Sequence, residues 1–190
     1  HMNGVIHRDL KPSNILVGAD HEPKLLDFGL AMRVDPGETR LTQGSALVGT
    51  PHYVSPEQAR GTRDLGPASD IYSLGTVFFE ILTGRVPFEG NDFLEILDKI
   101  RGENPPFPRD VDPAIPEPLQ RICLKALEKP ATQRYASALA FAEDLCRFLE
   151  GRSVVARPTL YDNLLVGRVQ GHLEDVDRWR GENLITSRER

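Results

Sequence analysis

From residue 68 onward, hydrophobic residues recur three or four positions apart, the spacing that places them on one face of a helix. The longest such stretch begins at Ala68 and stops at Gly84, a residue type that commonly ends helices. Its apolar positions are Ile71, Leu74, Val77, Phe78, Ile81 and Leu82. A segment with so many apolar positions is expected to form a buried helix.

The same periodicity predicts three further helices, over residues 92–101, 117–128 and 137–149. The stretch 104–118 contains six prolines, so it cannot be helical throughout. The last predicted helix has its apolar positions at Leu139, Ala142, Leu145 and Phe148.

The N-terminal region has a different pattern. Short apolar runs at residues 15–17 and 24–26 flank a polar turn, which predicts a β-hairpin. Residues 27–57 are mainly polar, and a loop of this length inside a domain is usually functional. The expected fold class is therefore mainly α with a small β-hairpin region.

Two short motifs lie at the ends of this hairpin. Residues 7–16 read His-Arg-Asp-Leu-Lys-Pro-Ser-Asn-Ile-Leu, and Asp27 begins an Asp-Phe-Gly motif thirteen positions after Asn14. The hairpin is expected to hold Asn14 and Asp27 close together. One carboxylate and one amide oxygen suit Mg²⁺, which usually keeps several waters and binds substrate phosphates. Each residue alone is more simply a turn former or a helix cap, but the combination favours metal-assisted phosphoryl transfer.

The combination resembles the catalytic loop of protein kinases. Further along, residues 49–57 resemble the end of a kinase activation segment, residues 69–75 the start of the central helix of the C-lobe, and residues 129–135 a late arginine motif. The match runs from His7 to about Gly151 and is closest to the eukaryotic-like serine/threonine kinases of bacteria. The expected domains are a kinase-like C-terminal lobe at 1–151 and a helical tail or linker at 152–190.

The resemblance implies a role for each residue of the motifs. Asp9 is expected to accept the proton of the substrate hydroxyl, and Lys11 to lie beside the transferred phosphoryl group. Asn14 and Asp27 are expected to bind Mg²⁺, and with Lys11 they form the part of the ATP site present here. ATP and Mg²⁺ are the implied cofactors. The implied substrates are proteins with a Ser or Thr hydroxyl, since tyrosine kinases typically lack a lysine at position 11.

A regulatory role is implied for Arg8, which directly precedes Asp9. In kinases of this kind, such an arginine binds a phosphate on the activation loop. The hydroxyls of Thr39, Thr42 and Ser45 are the candidates for modification. Thr50 is instead expected to hydrogen-bond Asp9 and Lys11.

Four residues are expected to have structural roles. Glu57 and Arg134 resemble an ion pair that joins the end of the activation segment to the late helices. Asp70 is expected to accept hydrogen bonds from the backbone near His7 and Arg8. His7 itself is expected to be a core histidine rather than an acid or base.

The 190 residues contain no Gly-x-Gly-x-x-Gly motif, and none of the five lysines has the strand context of the ATP-anchoring lysine. In kinases both features precede the catalytic loop. The expectation is a C-lobe that lacks the N-lobe and is inactive alone, or alternatively a non-catalytic, kinase-like interaction module.

Composition excludes some classes of function. A net charge of −5 and the lack of a basic stripe argue against nucleic-acid binding. No apolar run reaches 18 residues, so no membrane span is expected within the sequence. A membrane anchor after Arg190 stays open as an alternative. A homodimer stays open as well. Cys123 and Cys146 lie on apolar helical patterns without a Cys-x-x-Cys pair, which predicts reduced core thiols in a cytoplasmic domain.

The tail carries a narrow apolar stripe at Leu165, Val169, Leu173 and Val176. Fewer than three heptads are visible. An amphipathic helix packed on the lobe or on a partner is therefore favoured over a coiled coil.

Overall fold

The computed structural model describes residues 1, 5–27, 51–62 and 65–181. Strands β1 (Ile15–Val17) and β2 (Pro23–Leu25) pair antiparallel, with Ile15 opposite Leu25. Within the described ranges the α-helices are α1 (Pro56–Ala59), α2 (Pro67–Thr83), α3 (Phe93–Gly102), α4 (Pro108–Val111), α5 (Glu117–Ala126), α6 (Ala138–Leu149) and α7 (Thr159–Gly181). Short 3-10 turns occupy Pro12–Asn14, Pro51–Tyr53 and Ala131–Gln133. The expected fold class, mainly α with a small hairpin, is confirmed.

Helix α2 is the centre of the fold. Pro67 suits its first turn, where a backbone N–H would lack a partner anyway. The helix ends at Gly84, whose φ of +73° is the left-handed conformation that glycine adopts without strain. Tyr72 and Phe79 are fully buried, whereas Ile81 is 73% exposed. The prediction of a buried helix is therefore right for most of its surface but not for Ile81.

Two hydrophobic clusters are built around α2 and α5. One cluster joins α2 and α5 to α3, and its buried members include Tyr72, Phe79, Phe88, Ile100 and Leu127. The other joins them to α6 and to the segment after it, through Ile71, Ile122, Phe141, Val154 and Ala156. Because both clusters depend on α2 and α5, these two helices position α3 and α6.

Helices α2 and α5 approach each other closely at Gly75. A Cβ atom added to Gly75 would lie 2.7 Å from Cβ of Ala126 and 3.4 Å from a side-chain carbon of Leu127. Cβ of Ala126 is attached directly to the backbone, so it cannot move without moving α5. Glycine is required here by the distance between the two helices, not by its backbone conformation.

Helix α6 buries only part of its predicted face, since Leu145 and Phe148 pack against the second cluster whereas Leu139 and Ala142 do not. Leu139 is 68% exposed and Ala142 is exposed, whereas Phe141 is buried and stacks on Tyr135 with a centroid distance of 5.1 Å. Asp144 is also buried, at 2% exposure. It accepts hydrogen bonds from the Tyr135 hydroxyl and from two backbone N–H groups of the segment after α6. These polar contacts set the rotation of α6.

The prediction of two core thiols is wrong for one cysteine. Cys123 is buried, and burial raises the pKa of its thiol. Cys146 is exposed, because α6 turns the face with Phe141 toward the core.

Packing against the lobe continues past residue 151, where the sequence suggested a domain boundary. Val154 and Ala156 belong to the second hydrophobic cluster. The following helix exposes apolar side chains, with Val169 and Leu173 each 58% accessible. None of the described helices is long and apolar enough to cross a membrane.

We predict that Gly75→Ala lowers the free energy of unfolding by about 1–3 kcal/mol, because the added methyl group overpacks the α2–α5 contact. Gly102→Ala is the matched control, since Gly102 also lies in a helix but has no atom within 4 Å of an added Cβ. Chemical denaturation of both variants measures the difference. Equal stability of the two variants would contradict the proposed close contact.

Candidate catalytic site

Asp9, Lys11 and Asn14 form a cluster in the loop that enters the hairpin. Nζ of Lys11 lies 2.8 Å from Oδ2 of Asp9. The side-chain amide of Asn14 donates to the same oxygen, at 3.0 Å, and to the backbone carbonyl of Asp9, at 2.8 Å. The carboxylate of Asp9 is therefore held in a fixed position by a charge and an amide from its own loop.

The hairpin brings Asp27 to the same region. The 3-10 turn Pro12–Asn14 leads directly into β1, and the backbone N–H of Leu26 donates to the carbonyl of Asn14 at 2.9 Å. Asp27 is the next residue, is exposed, and has a φ of +58°. Asp27 therefore lies one residue beyond the backbone contact between Leu26 and Asn14.

The donor set suits Mg²⁺. The nitrogen of the Asn14 amide is engaged by Asp9, which leaves its oxygen for a hard cation. Among the described residues no group of three or more His, Cys, Asp or Glu side chains forms a metal site. Two oxygen ligands are enough for an ion that takes its remaining ligands from water and phosphate.

Asp70, in the first turn of α2, holds the loop that contains Asp9 in place through hydrogen bonds. Its buried carboxylate accepts hydrogen bonds from the backbone N–H groups of His7 and Arg8, both at 2.8 Å. The ring of His1 contacts the same carboxylate at 2.9 Å. Nε2 of His7 lies 2.8 Å from the carbonyl of Leu26, which ties the loop to the hairpin. The site is therefore anchored to the most buried helix of the lobe.

Arg8 adopts a left-handed conformation, with a φ of +69°. Such a conformation costs about 1–3 kcal/mol in a non-glycine residue and needs support from its surroundings. The N–H of Arg8 is bound by Asp70, and its carbonyl accepts from the side-chain amide of Gln58 at 2.8 Å. Nε of Arg8 is buried without a hydrogen-bond partner among the described residues.

Two of these supporting residues, Gln58 and His1, were not identified from the sequence. A signal for Gln58 was available, since Ser55 and Gln58 have the spacing of a capping box. The structure contains that box, and Gln58 also reaches across to Arg8. Nothing in the local pattern marks His1, because its partner is 69 residues away.

Glu57 and Arg134 form a two-pronged ion pair with N–O distances of 2.7 and 2.8 Å. The Ser69 hydroxyl donates to the same carboxylate. Burial raises the pKa of Glu57, but the hydrogen bonds and the charge of Arg134 outweigh burial and lower that pKa to about 2. Arg134 is fully buried, so this pair is part of the core rather than of the surface.

The remaining candidate residues fall outside the described ranges. These are Thr39, Thr42, Ser45 and Thr50, together with Phe28 and Gly29 of the Asp-Phe-Gly motif. Their expected roles stay predictions.

A family profile described as "Protein kinase domain" matches residues 1–146. The chain therefore belongs to the protein kinase domain family. Members of this family in general use ATP with Mg²⁺ and act on protein substrates.

Three curated relatives of the chain come from bacteria. The chain is 41% identical over 157 residues to the probable serine/threonine-protein kinase PknB of Bifidobacterium longum, covering 82% of this chain and 22% of that protein. It is 41% identical over 162 residues to serine/threonine-protein kinase PknB of Mycobacterium leprae, covering 85% of this chain and 26% of that protein. It is 40% identical over 145 residues to probable serine/threonine-protein kinase PknB of Lactococcus lactis, covering 76% of this chain and 23% of that protein. The resemblance to bacterial serine/threonine kinases is confirmed, and the chain spans about a quarter of the length of these relatives.

We predict that Glu57→Gln lowers the free energy of unfolding at pH 7 by about 3–5 kcal/mol, because it leaves Arg134 buried without its counter-charge. The pKa of Glu57 is lowered in the fold, so its contribution is complete above pH 4.5 and disappears as the pH falls toward about 2. Denaturation at several pH values should show the difference between variant and parent shrinking over that range.

Glu150→Gln is the control for this prediction. Glu150 also pairs with an arginine, Arg152, but both side chains are more than half exposed. Exposed pairs contribute little to stability. A pH-independent difference for Glu57→Gln would mean that Glu57 is not the titrating group.

Proposed function

We propose that the protein containing this chain is a serine/threonine protein kinase that transfers the γ-phosphoryl group of ATP to protein hydroxyls. The observation that carries the proposal is the arrangement of Asp9, Lys11 and Asn14 around one carboxylate oxygen, with Asp27 next to them across the hairpin. The identity to bacterial kinases named as serine/threonine-specific supports the class of acceptor.

Each residue has a defined task in this proposal. Asp9 accepts the proton of the Ser or Thr hydroxyl and keeps that oxygen directed at the phosphorus. Lys11, already 2.8 Å from Asp9, stabilises the negative charge that develops on the phosphoryl oxygens. Asn14 and Asp27 hold Mg²⁺ through one amide and one carboxylate oxygen. ATP bound with Mg²⁺ supplies the phosphoryl group and the neutralising charge.

The fixed position of Asp9 matters for this chemistry. A base that is already oriented by two partners loses little freedom when the substrate binds.

A non-catalytic interaction module is the second candidate. Binding partners would not require Asp9, Lys11 and Asn14 to converge on one oxygen. Activity in the whole protein decides between the two functions.

We predict that Asp9→Asn or Asp27→Asn in the whole protein lowers the rate of phosphate transfer at least about a hundredfold, because the base or a metal ligand is lost. Transfer from radiolabelled ATP to a generic protein substrate measures the rate. Thermal unfolding should be close to that of the parent, since both changes keep the side-chain shape.

Asp20→Asn is the matched control. Asp20 lies in the turn of the same hairpin, and its oxygen accepts from the backbone N–H of Glu22, which an amide oxygen also does. It is expected to keep full activity. If Asp27→Asn retained the parental rate, the assignment of Asp27 to Mg²⁺ would fail.

We also propose that Arg8 binds a phosphate on the activation loop. Its buried Nε, which has no hydrogen-bond partner within the described ranges, supports this role, because a phosphate oxygen would satisfy it. The predicted acceptors are Thr39, Thr42 and Ser45. In addition, Thr50 is proposed to hydrogen-bond Asp9 and Lys11.

We predict that the active protein carries phosphate on at least one of Thr39, Thr42 and Ser45, and that a triple alanine variant transfers phosphate more slowly. Mass spectrometry locates the modification, and the transfer assay measures the rate. Ser153→Ala, an exposed hydroxyl outside the loop, is the control. A fully active enzyme with an unmodified loop would leave Arg8 with a structural role only.

A further inference from the structure

Residues 152–158, which we call the strap, connect α6 to α7 without regular secondary structure. Val154, Ala156 and Pro158 of the strap are buried against the lobe. The strap is also hydrogen-bonded along its length, since the carbonyl of Ala156 accepts from Arg121 at 2.6 Å. The strap is thus bound more firmly than a linker between independent domains would be.

Two buried carboxylates bind the strap and the first turn of α7. Asp144, 2% exposed, accepts from the backbone N–H groups of Val155 and Ala156 at 2.6 and 2.8 Å. Glu128, 4% exposed, accepts from the backbone N–H of Thr159, whose hydroxyl lies 2.8 and 2.9 Å from its two oxygens. Burying a carboxylate without hydrogen-bond partners costs free energy, so both acids favour the conformation in which the strap is docked.

Glu128 also connects this contact to the activation segment. Its backbone carbonyl accepts from Nε of Arg134 at 2.7 Å. Arg134 in turn binds Glu57, the last residue of the expected activation segment. A continuous set of short, mostly buried contacts therefore runs from Thr159 through Glu128 and Arg134 to Glu57.

Two surface pockets border residues of this set of contacts. A cavity of about 110 Å³ is lined by Glu128 and Thr159. A second cavity, of about 260 Å³, is lined by Arg134, Asp144 and Ala156.

We propose that the strap and the first turn of α7 act as a latch that stabilises the Glu57–Arg134 ion pair. When Thr159 is docked, Glu128 is fixed and presents its carbonyl to Arg134. When the latch opens, Glu128 loses its buried hydrogen bonds and the support of Arg134 weakens. A partner that binds α7 would thereby change the stability of residues 51–62, which contain Glu57.

This inference concerns conformational coupling and does not depend on catalysis. Hydrogen exchange of the 190-residue chain tests it through the Thr159→Val variant, which removes the hydroxyl and keeps the branched shape. Exchange at residues 154–162 should rise about tenfold, as expected for the loss of a hydrogen bond to a charged group. Exchange at residues 55–62, around Glu57, should rise measurably as well, while residues 96–100 of α3 stay unchanged.

Thr83→Val is the matched control. The Thr83 hydroxyl also bonds to backbone carbonyls at 2.8 and 2.9 Å, but it lies at the end of α2 and outside the contact set. It should leave exchange at both 55–62 and 154–162 unchanged. An equal rise at residues 55–62 in this control would overturn the latch.

Coupling between two sites is reciprocal. Glu57→Gln should therefore raise exchange at residues 154–162, and Glu128→Gln should raise it at both places. If Thr159→Val increased exchange at 154–162 alone, or at neither place, the coupling would be refuted. The Thr159→Val result decides the matter even if either charge variant does not fold.

Discussion

The rest of the lobe depends on the hydrogen bonds that the guanidinium of Arg134 donates. Its five N–H donors bond to both oxygens of Glu57 and to the carbonyls of Ala68, Glu128 and Lys129. These acceptors belong to α1, to the first turn of α2 and to the turn after α5. Because the guanidinium is planar and permanently charged, it is stable in the core only when all of these acceptors are in place. One side chain thus fixes the relative positions of three segments.

The loop that contains His7, Arg8 and Asp9 is positioned through the same turn of α2. Ala68 is bound by Arg134, and two residues later Asp70 accepts the backbone N–H groups of His7 and Arg8. The loop has little regular secondary structure of its own, and Arg8 is in a left-handed conformation. A strained loop keeps a single geometry only if rigid neighbours hold it. The most buried helix of the lobe provides that support.

The segment after residue 151 takes part in this arrangement. Asp144 and Glu128 are buried acids, and most of their hydrogen bonds come from the strap and from Thr159. The lobe without these residues would contain two buried carboxylates with unfilled acceptors. The structural unit therefore extends at least into the first turn of α7, which is further than the matching motifs alone suggest.

The sequence by itself determined the helices and the hairpin, because proline, glycine and apolar spacing act locally and α2 ends where Gly84 predicts. It also predicted that Asn14 and Asp27 are neighbours, since a short hairpin leaves few alternatives. Only the tertiary structure decided which face of α6 is buried, that Cys146 is exposed, and that Gln58 supports Arg8. These outcomes depend on hydrogen bonds between residues far apart in the chain. Local periodicity indicates how apolar one face of a helix is. It does not identify the distant residue whose hydrogen bond stabilises a buried polar group.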